Sequence, residues 1–181
     1  MILLEAQSKE KIKLEANFYW SNNGNRKSRR EEIIKNSKLG SNMDSISYNQ
    51  NGKPYLPNGI VFSISHSYNY SLMVVSNTYS NIGIDIEVDR PFYYWEKIVK
   101  RFFLESENKY CKGSNGIRRF WEIWVKKEAI IKCLGGSIFE NALDINTFDY
   151  YDIVKNNKMN IMYNIVKIFG KDIHVAIAYC Q

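Results

Sequence analysis

Residues 82–88 read Ile-Gly-Ile-Asp-Ile-Glu-Val, a β-branched run in which Asp85 and Glu87 alternate with Ile84, Ile86 and Val88. A strand places i and i+2 on one face, so both carboxylates point the same way. On a solvated face of an antiparallel strand this pattern is ordinary. On a covered face two like charges lose solvation and repel, an arrangement that asks for a cation between them. A divalent cation with oxygen ligands answers that need, and this stretch alone leaves both readings open.

At 181 residues the chain suits one domain or two small halves, at about 100 to 200 residues per domain. Hydrophobic content of 45% is ample for a core, and the net charge of +6 favours polyanionic partners such as nucleic acid, phosphorylated cofactors or an acidic protein. The three cysteines, Cys111, Cys133 and Cys180, are odd in number and lack a Cys-x-x-Cys pair, which argues against a disulfide framework or zinc site. Met1-Ile-Leu-Leu-Glu5 breaks into charge too early for a signal peptide, and no apolar run approaches the roughly 20 residues that span a bilayer. A soluble, cytoplasmic protein is expected.

A helix is expected from about Asn25 to Leu39, opening with the basic cluster Arg26, Lys27, Arg29 and Arg30 and stopping at Gly40. Asn49 to Pro57 is turn-rich. Strands are expected over Ile60–Ser65, Tyr70–Ser76 and Ile82–Val88, the last two joined by a hairpin turn at Asn77–Asn81. Asp89-Arg90-Pro91 then marks a boundary, giving halves 1–88 and 89–181. The second half predicts a helix over about Tyr94–Phe103, a mobile loop over Cys111–Gly116 and a long helix from Ile117 to Leu134 stopped by Gly135-Gly136. Strands over Ile145–Tyr150, Ile161–Phe169 and Ile173–Tyr179 close the chain. Strands and helices are segregated, so the fold class is α+β, each half a small antiparallel sheet packed with helices.

Glu128 falls on the long helix among Ile117, Trp121, Trp124 and Ile131, where an acid is costly unless paired or metal-bound. Lys132, at i+4, offers a simple pair of about 0.2 to 0.5 kcal/mol, and the helix alone does not choose between the two. His66, in Phe62-Ser-Ile-Ser-His-Ser67, reads as a structural histidine or, with Ser65 and Ser67, as part of a phosphate cradle. His174 lies in an apolar run and reads as structural. Lys53 and the Arg26–Arg30 cluster read as solvated charges or as phosphate holders.

Gly52-Lys53-Pro54, Phe62-Ser-Ile-Ser-His-Ser67, Gly83-Ile-Asp-Ile-Glu87 and Trp124-Val-Lys-Lys-Glu-Ala129, with Lys132 following, resemble in order and spacing the motif series of the 4'-phosphopantetheinyl transferases. The resemblance runs from about Lys27 to Ala176 and is to the surfactin-type branch, in which one polypeptide carries two halves related by pseudo-twofold symmetry; Lys100-Arg-Phe-Phe103 with Glu105 or Glu107 beyond is similar to that branch as well. It implies transfer of phosphopantetheine from coenzyme A to a serine of an acidic apo acyl or peptidyl carrier protein, with release of adenosine 3',5'-bisphosphate, by a monomer that engages neither nucleic acid nor membrane. It implies Mg2+, or Mn2+ in its place, on Asp85, Glu87 and Glu128. Lys53, Ser65 and His66 would contact the nucleotide and its phosphates, Lys27 and Ser28 the 3'-phosphate, and Lys127 and Lys132 the cofactor, Lys132 at the pyrophosphate. Catalysis would fall to Asp85, Lys132 and Glu128, with Glu128 the first choice of base. Gly135-Gly-Ser-Ile lacks a lysine that many relatives carry there, and the segment Glu107–Gly116, where relatives engage the carrier, is short and polar. The rival readings are a basic polyanion-binding module, which leaves the acids unexplained, and a Mg2+-dependent phosphodiesterase, which leaves the Ser-His-Ser and Gly-Lys-Pro elements unexplained.

Overall fold

The structure, a computed structural model, describes residues 16–37, 39, 46–50, 52–148 and 159–181. The elements run β1 (Asn17–Ser21), α1 (Arg26–Asn36), β2 (Ser47–Tyr48), β3 (Pro54–Tyr55), β4 (Val61–Ser67), β5 (Tyr70–Ser76) and β6 (Asn81–Val88). They continue α2 (Trp95–Phe102), α3 (Glu105–Tyr110), α4 (Gly116–Leu134), α5 (Ile138–Asn141), β7 (Met159–Ile168) and β8 (Lys171–Cys180). Two three-stranded antiparallel sheets, ordered β1-β5-β4 and β6-β8-β7, carry the fold, and β2 and β3 form a minimal ladder that falls between β1 and β4 in sequence. The α+β class expected from the sequence is what is observed.

Period-two alternation sorts each strand between two cores. Leu72 and Val74 of β5 join Ile82, Ile84, Ile86 and Val88 of β6 and Val175, Ile177 and Tyr179 of β8 in one cluster between the sheets. The opposite side of the first sheet, Phe62, Met73 and Val75, receives Ile33 and Ile34 of α1. The opposite side of the second sheet, Ala176, Ala178 and Cys180, receives Val125, Ala129 and Cys133 of α4. Gly83, Asp85 and Glu87 alternate with the isoleucines of β6, so they occupy the side covered by α4. The solvated-face reading of this strand is therefore excluded.

The sheets meet along an unusual seam. The outward amides of Ile84, Ile86 and Val88 donate to the hydroxyls of Ser63, Ser65 and Ser67 at 3.1, 3.2 and 3.0 Å. A constant offset of 21 residues means that β4 and β6 run parallel, with serine side chains standing in for ladder carbonyls. An otherwise bare sheet edge is thereby satisfied.

Three sequence expectations change. Asn77–Asn81 does not close a hairpin: β5 pairs with β1 and β4, while β6 pairs with β8, so the link passes from one sheet to the other. Strand alternation specifies a face and leaves the neighbour open. It also follows that β6, counted with residues 1–88, is a strand of the second sheet. Residues 145–148 are not a strand, because their backbone is claimed by a buried ion pair described below, and 149–150 lie outside the described residues. The expected loop over Cys111–Gly116 is an exposed turn at 112–115 with buried ends, where Gly116 stands against the Cys111 carbonyl and Trp95. The Gly40 helix stop also lies outside the described residues; α1 ends at Asn36. No helix among the described residues is long and apolar enough to cross a membrane.

Candidate active site

The placement of α4 determines the site. A Cβ added at Gly83 would lie 2.1 Å from the Ala129 carbonyl oxygen and 2.3 Å from the Cys133 amide nitrogen, so helix backbone rests directly on strand backbone there. That contact brings Glu128 and Lys132, one turn apart, over Asp85. Gly135, at φ 74°, ends the helix in the left-handed conformation that glycine adopts freely.

A cavity of about 850 Å³ opens between α1, β4, β6 and α4. Arg26, Lys27, Arg30 and His66 stand on one wall; Asp85, Glu87, Glu128 and Lys132 stand on the other; Lys53 and Trp124 also line it. The pocket is therefore polarised, basic at the first sheet and acidic at the second.

Asp85 is buried, and its Oδ1 accepts from Lys132 Nζ at 2.6 Å and from Ser65 Oγ at 2.7 Å. Its Oδ2 is buried and has no hydrogen-bond partner among the described residues. Glu87 Oε2 accepts from Ser67 Oγ at 2.6 Å and lies 3.7 Å from Arg90 Nη2. Burial, opposed by the Ser67 hydrogen bond and reinforced by the charge of Asp85, pushes the Glu87 carboxyl up to about 6. Burial first, then the charge of Asp85, pushes Glu128 up to about 7. Three acids thus share one wall and burden one another.

Among the described residues no three His, Cys, Asp or Glu side chains stand close enough to hold a metal ion as they are. The three carboxylates converge on one pocket and not on one point, since Lys132 and Ser67 hold two of them. An all-carboxylate donor set with one orphaned, buried oxygen still fits a hard divalent cation, which relieves both the desolvation and the repulsion.

The serines and the histidine play parts other than a phosphate cradle. Ser65 and Ser67 are buried, accept a β6 amide each and give their protons to Asp85 and Glu87, so neither hydroxyl remains to donate to an anion. They orient the carboxylates. His66 Nδ1 and Ser71 Oγ share one hydrogen bond at 2.7 Å, and Ser71 Oγ also accepts from Arg29 Nε at 3.2 Å, which holds the ring in place. Burial, then Arg26, Lys132, Arg29 and Arg30, depress the His66 pKa to about 4, so the ring is a neutral donor and not an imidazolium.

Lys27 is exposed on the pocket rim, 3.9 Å from Glu31, with Arg26 and Arg30 beside it. Ser28 does not line the pocket; its amide and hydroxyl both bond the Asn25 side chain that caps α1. Lys53 donates to Asn81 Oδ1 and to the Cys133 carbonyl at 2.7 Å, tying the Gly-Lys-Pro turn to the last turn of α4. Lys127, expected at the cofactor, is placed elsewhere: fully buried, its ammonium pairs with Glu107 at 2.9 Å and donates to the carbonyls of Ala142 and Ile145 at 2.7 and 2.6 Å. It lies outside the pocket lining. Arg90 escaped the sequence reading. It is caged by the rings of Tyr68, Phe92 and Trp121 at 5.1, 5.6 and 4.7 Å, and its position three residues after Glu87 was the only available sign.

An α+β protein with acids facing cations across a pocket is a class with many members; comparison with known proteins narrows it. A family model described as the 4'-phosphopantetheinyl transferase superfamily matches residues 81–177, more than half of the chain. Among relatives, the 4'-phosphopantetheinyl transferase AcpT of Salmonella typhi is 32% identical over 109 residues, 58% of this chain and 56% of its own. The 4'-phosphopantetheinyl transferase HetI of Nostoc sp. is 36% identical over 99 residues, 50% of this chain and 41% of its own. The 4'-phosphopantetheinyl transferase gsp of Aneurinibacillus migulanus is 33% identical over 118 residues, 64% of this chain and 46% of its own. The chain spans about half the length of the curated relatives it matches. It belongs to the 4'-phosphopantetheinyl transferase superfamily. The matched stretch holds the three carboxylates and Lys132, while the cations of α1 lie outside it.

Proposed function

We propose that the protein is a 4'-phosphopantetheinyl transferase of the surfactin-type branch, moving phosphopantetheine from coenzyme A to a serine of an acidic apo carrier protein. The observation that carries this reading is the polarised pocket in a chain of this superfamily. A carboxylate wall carrying Lys132 faces an arginine and lysine wall, across a space suited to a ligand with phosphates at both ends. A polyanion-binding module has no use for one buried and two half-buried acids, which oppose anion binding.

In this reading Arg26, Lys27 and Arg30 take the phosphate remote from the reaction, and the His66 imidazole hydrogen-bonds the nucleotide side. Lys132 balances the charge that grows on the pyrophosphate. Bound by Asp85, Glu87 and Glu128, Mg2+ would neutralise the pyrophosphate and act as a Lewis acid. The carrier serine forms a new bond to the β-phosphorus, the bond from that phosphorus to the bridging oxygen breaks, and adenosine 3',5'-bisphosphate leaves. We assign the serine proton to Glu128, which lines the pocket beside Asp85 and Lys132 and makes no hydrogen bond to a described residue that would occupy its carboxylate. Ser65, Ser67 and Arg90 orient the acids. The three free thiols suit a reducing cytosol, and we take the active form to be a monomer. Incubation with coenzyme A, Mg2+ and apo carriers from fatty-acid, polyketide and peptide synthesis, followed by intact-mass measurement, tests the proposal. A phosphopantetheine mass gain on the carrier is expected; none on any carrier would overturn it.

A further inference from the structure

Lys132 stands where a cation is wanted. Its ammonium is 2.6 Å from Asp85 Oδ1 and 3.2 Å from Ser65 Oγ, and it is the only ammonium or guanidinium within ion-pair distance of Asp85 among the described residues. The other acids lack such a partner at close range. Glu87 has a hydroxyl and a guanidinium at 3.7 Å, and Glu128 makes no hydrogen bond or ion pair to any described residue. The wall is therefore short of positive charge, yet its best place is taken.

A divalent cation arriving alone would share Asp85 with an ammonium already in contact, and two cations on one carboxylate repel strongly at such separations. The lysine has somewhere to go. Its side chain is 31% exposed on the last turn of α4, and its four-carbon stem can turn into the cavity without any movement of helix backbone. A pyrophosphate in the cavity would receive it and remove the conflict.

Resting on the reading that this pocket takes coenzyme A with a divalent cation, we propose that Lys132 is a resident counter-ion of Asp85 that yields its place only to a cation accompanied by an anion. Cation and pyrophosphate then enter as one unit, and the cation alone binds poorly. The Lys132–Asp85 pair also explains why the three acids form no ready-made metal cluster among the described residues.

The test uses the full chain and Mn2+ as probe, with free Mn2+ read by electron paramagnetic resonance and the uptake by coenzyme A alone subtracted. Wild type is expected to bind Mn2+ at least roughly tenfold more weakly without coenzyme A than with it. Lys132→Gln is expected to bind Mn2+ without coenzyme A at least roughly tenfold more tightly than wild type, while Lys132→Arg stays like wild type. Adding Asp85→Asn to Lys132→Gln should remove the gain. Thermal melting gives a second readout: Lys132→Gln melts lower in EDTA and recovers with Mn2+ alone, whereas wild type barely responds to Mn2+ alone. Equal Mn2+ affinity of wild type and Lys132→Gln, or of wild type with and without coenzyme A, overturns the proposal. Should Lys132→Gln not fold, the wild-type comparison decides by itself. Failure to modify any carrier alongside the expected Mn2+ behaviour would sink the transferase reading and spare this one; carrier modification with equal affinities would do the reverse.

Discussion

Two lysines five positions apart on α4 make opposite use of a carboxylate. Lys127 and Glu107 are both fully buried, and nothing about them is left over. The ammonium serves Glu107 and two carbonyls, while Glu107 accepts also from the Leu104 amide, the Thr147 amide and the Thr147 hydroxyl. Lys132 and Asp85 are 31% and 7% exposed and incomplete, with one carboxylate oxygen orphaned and two more acids beside it. The saturated pair joins α3, α4 and the segment after α5 into one body. The unsaturated pair is poised for a ligand. Similar chemistry becomes structure or function according to whether the hydrogen-bonding capacity is closed by the protein.

The comparison breaks first at Lys127. Lys127→Ala leaves a buried carboxylate with no counter-charge and two orphaned carbonyls, and should destabilise the fold by about 3–5 kcal/mol in chemical denaturation. A loss below about 1 kcal/mol would mean the pair is not closed as described. Asp85→Asn should do the converse. Its carboxylate lies at the pocket and its partner Lys132 reaches solvent, so stability should hold while the rate of carrier modification falls by about 10²–10³. Unfolding comparable to that of Lys127→Ala would place Asp85 with the structural group. Ser67→Ala sits between: it removes the donor to Glu87 and the acceptor of the Val88 amide, for about 1–3 kcal/mol of stability. Here activity should fall along with stability, because the seam and the acid share one hydroxyl.

The contrast was unevenly legible in the sequence. The alternation of β6 placed Asp85 and Glu87 on one face, and helical spacing added Glu128 and Lys132, since both signals depend only on strand and helix period. A signal for a buried Lys127 went unread: its neighbours at −7, −4, +3 and +4 are Phe120, Ile123, Ile130 and Ile131, all buried. Motif resemblance pointed the other way, and packing won. Nothing local could reveal that Thr147 and the carbonyls of Ala142 and Ile145 would answer to a pair 15 to 40 residues distant, so that segment read as a strand. The same holds for Ser63, Ser65 and Ser67, whose alternation was visible but whose partners 21 residues on were set by which sheet β6 joined.

The smallest expected effect concerns the wall opposite the acids. His66 has a folded pKa of about 4 against an ordinary value of 6.5, because burial and the charges of Arg26, Lys132, Arg29 and Arg30 oppose its proton. The unfolded chain therefore takes up that proton first on acidification. The His66 contribution to stability is full above about 6.5, is lost as pH falls towards about 4, and changes no further below it. His66→Gln should flatten that part of the stability curve relative to wild type. Binding sharpens the point: a phosphate drawn to Arg26 and Arg30 cancels part of the opposing charge, so the His66 titration followed by NMR should move upward with adenosine 3',5'-bisphosphate present. Burial, the largest cause, persists, so the shift should stop short of the ordinary value. A titration unmoved by the nucleotide would mean that its phosphates do not face α1, leaving the basic wall without its assigned ligand.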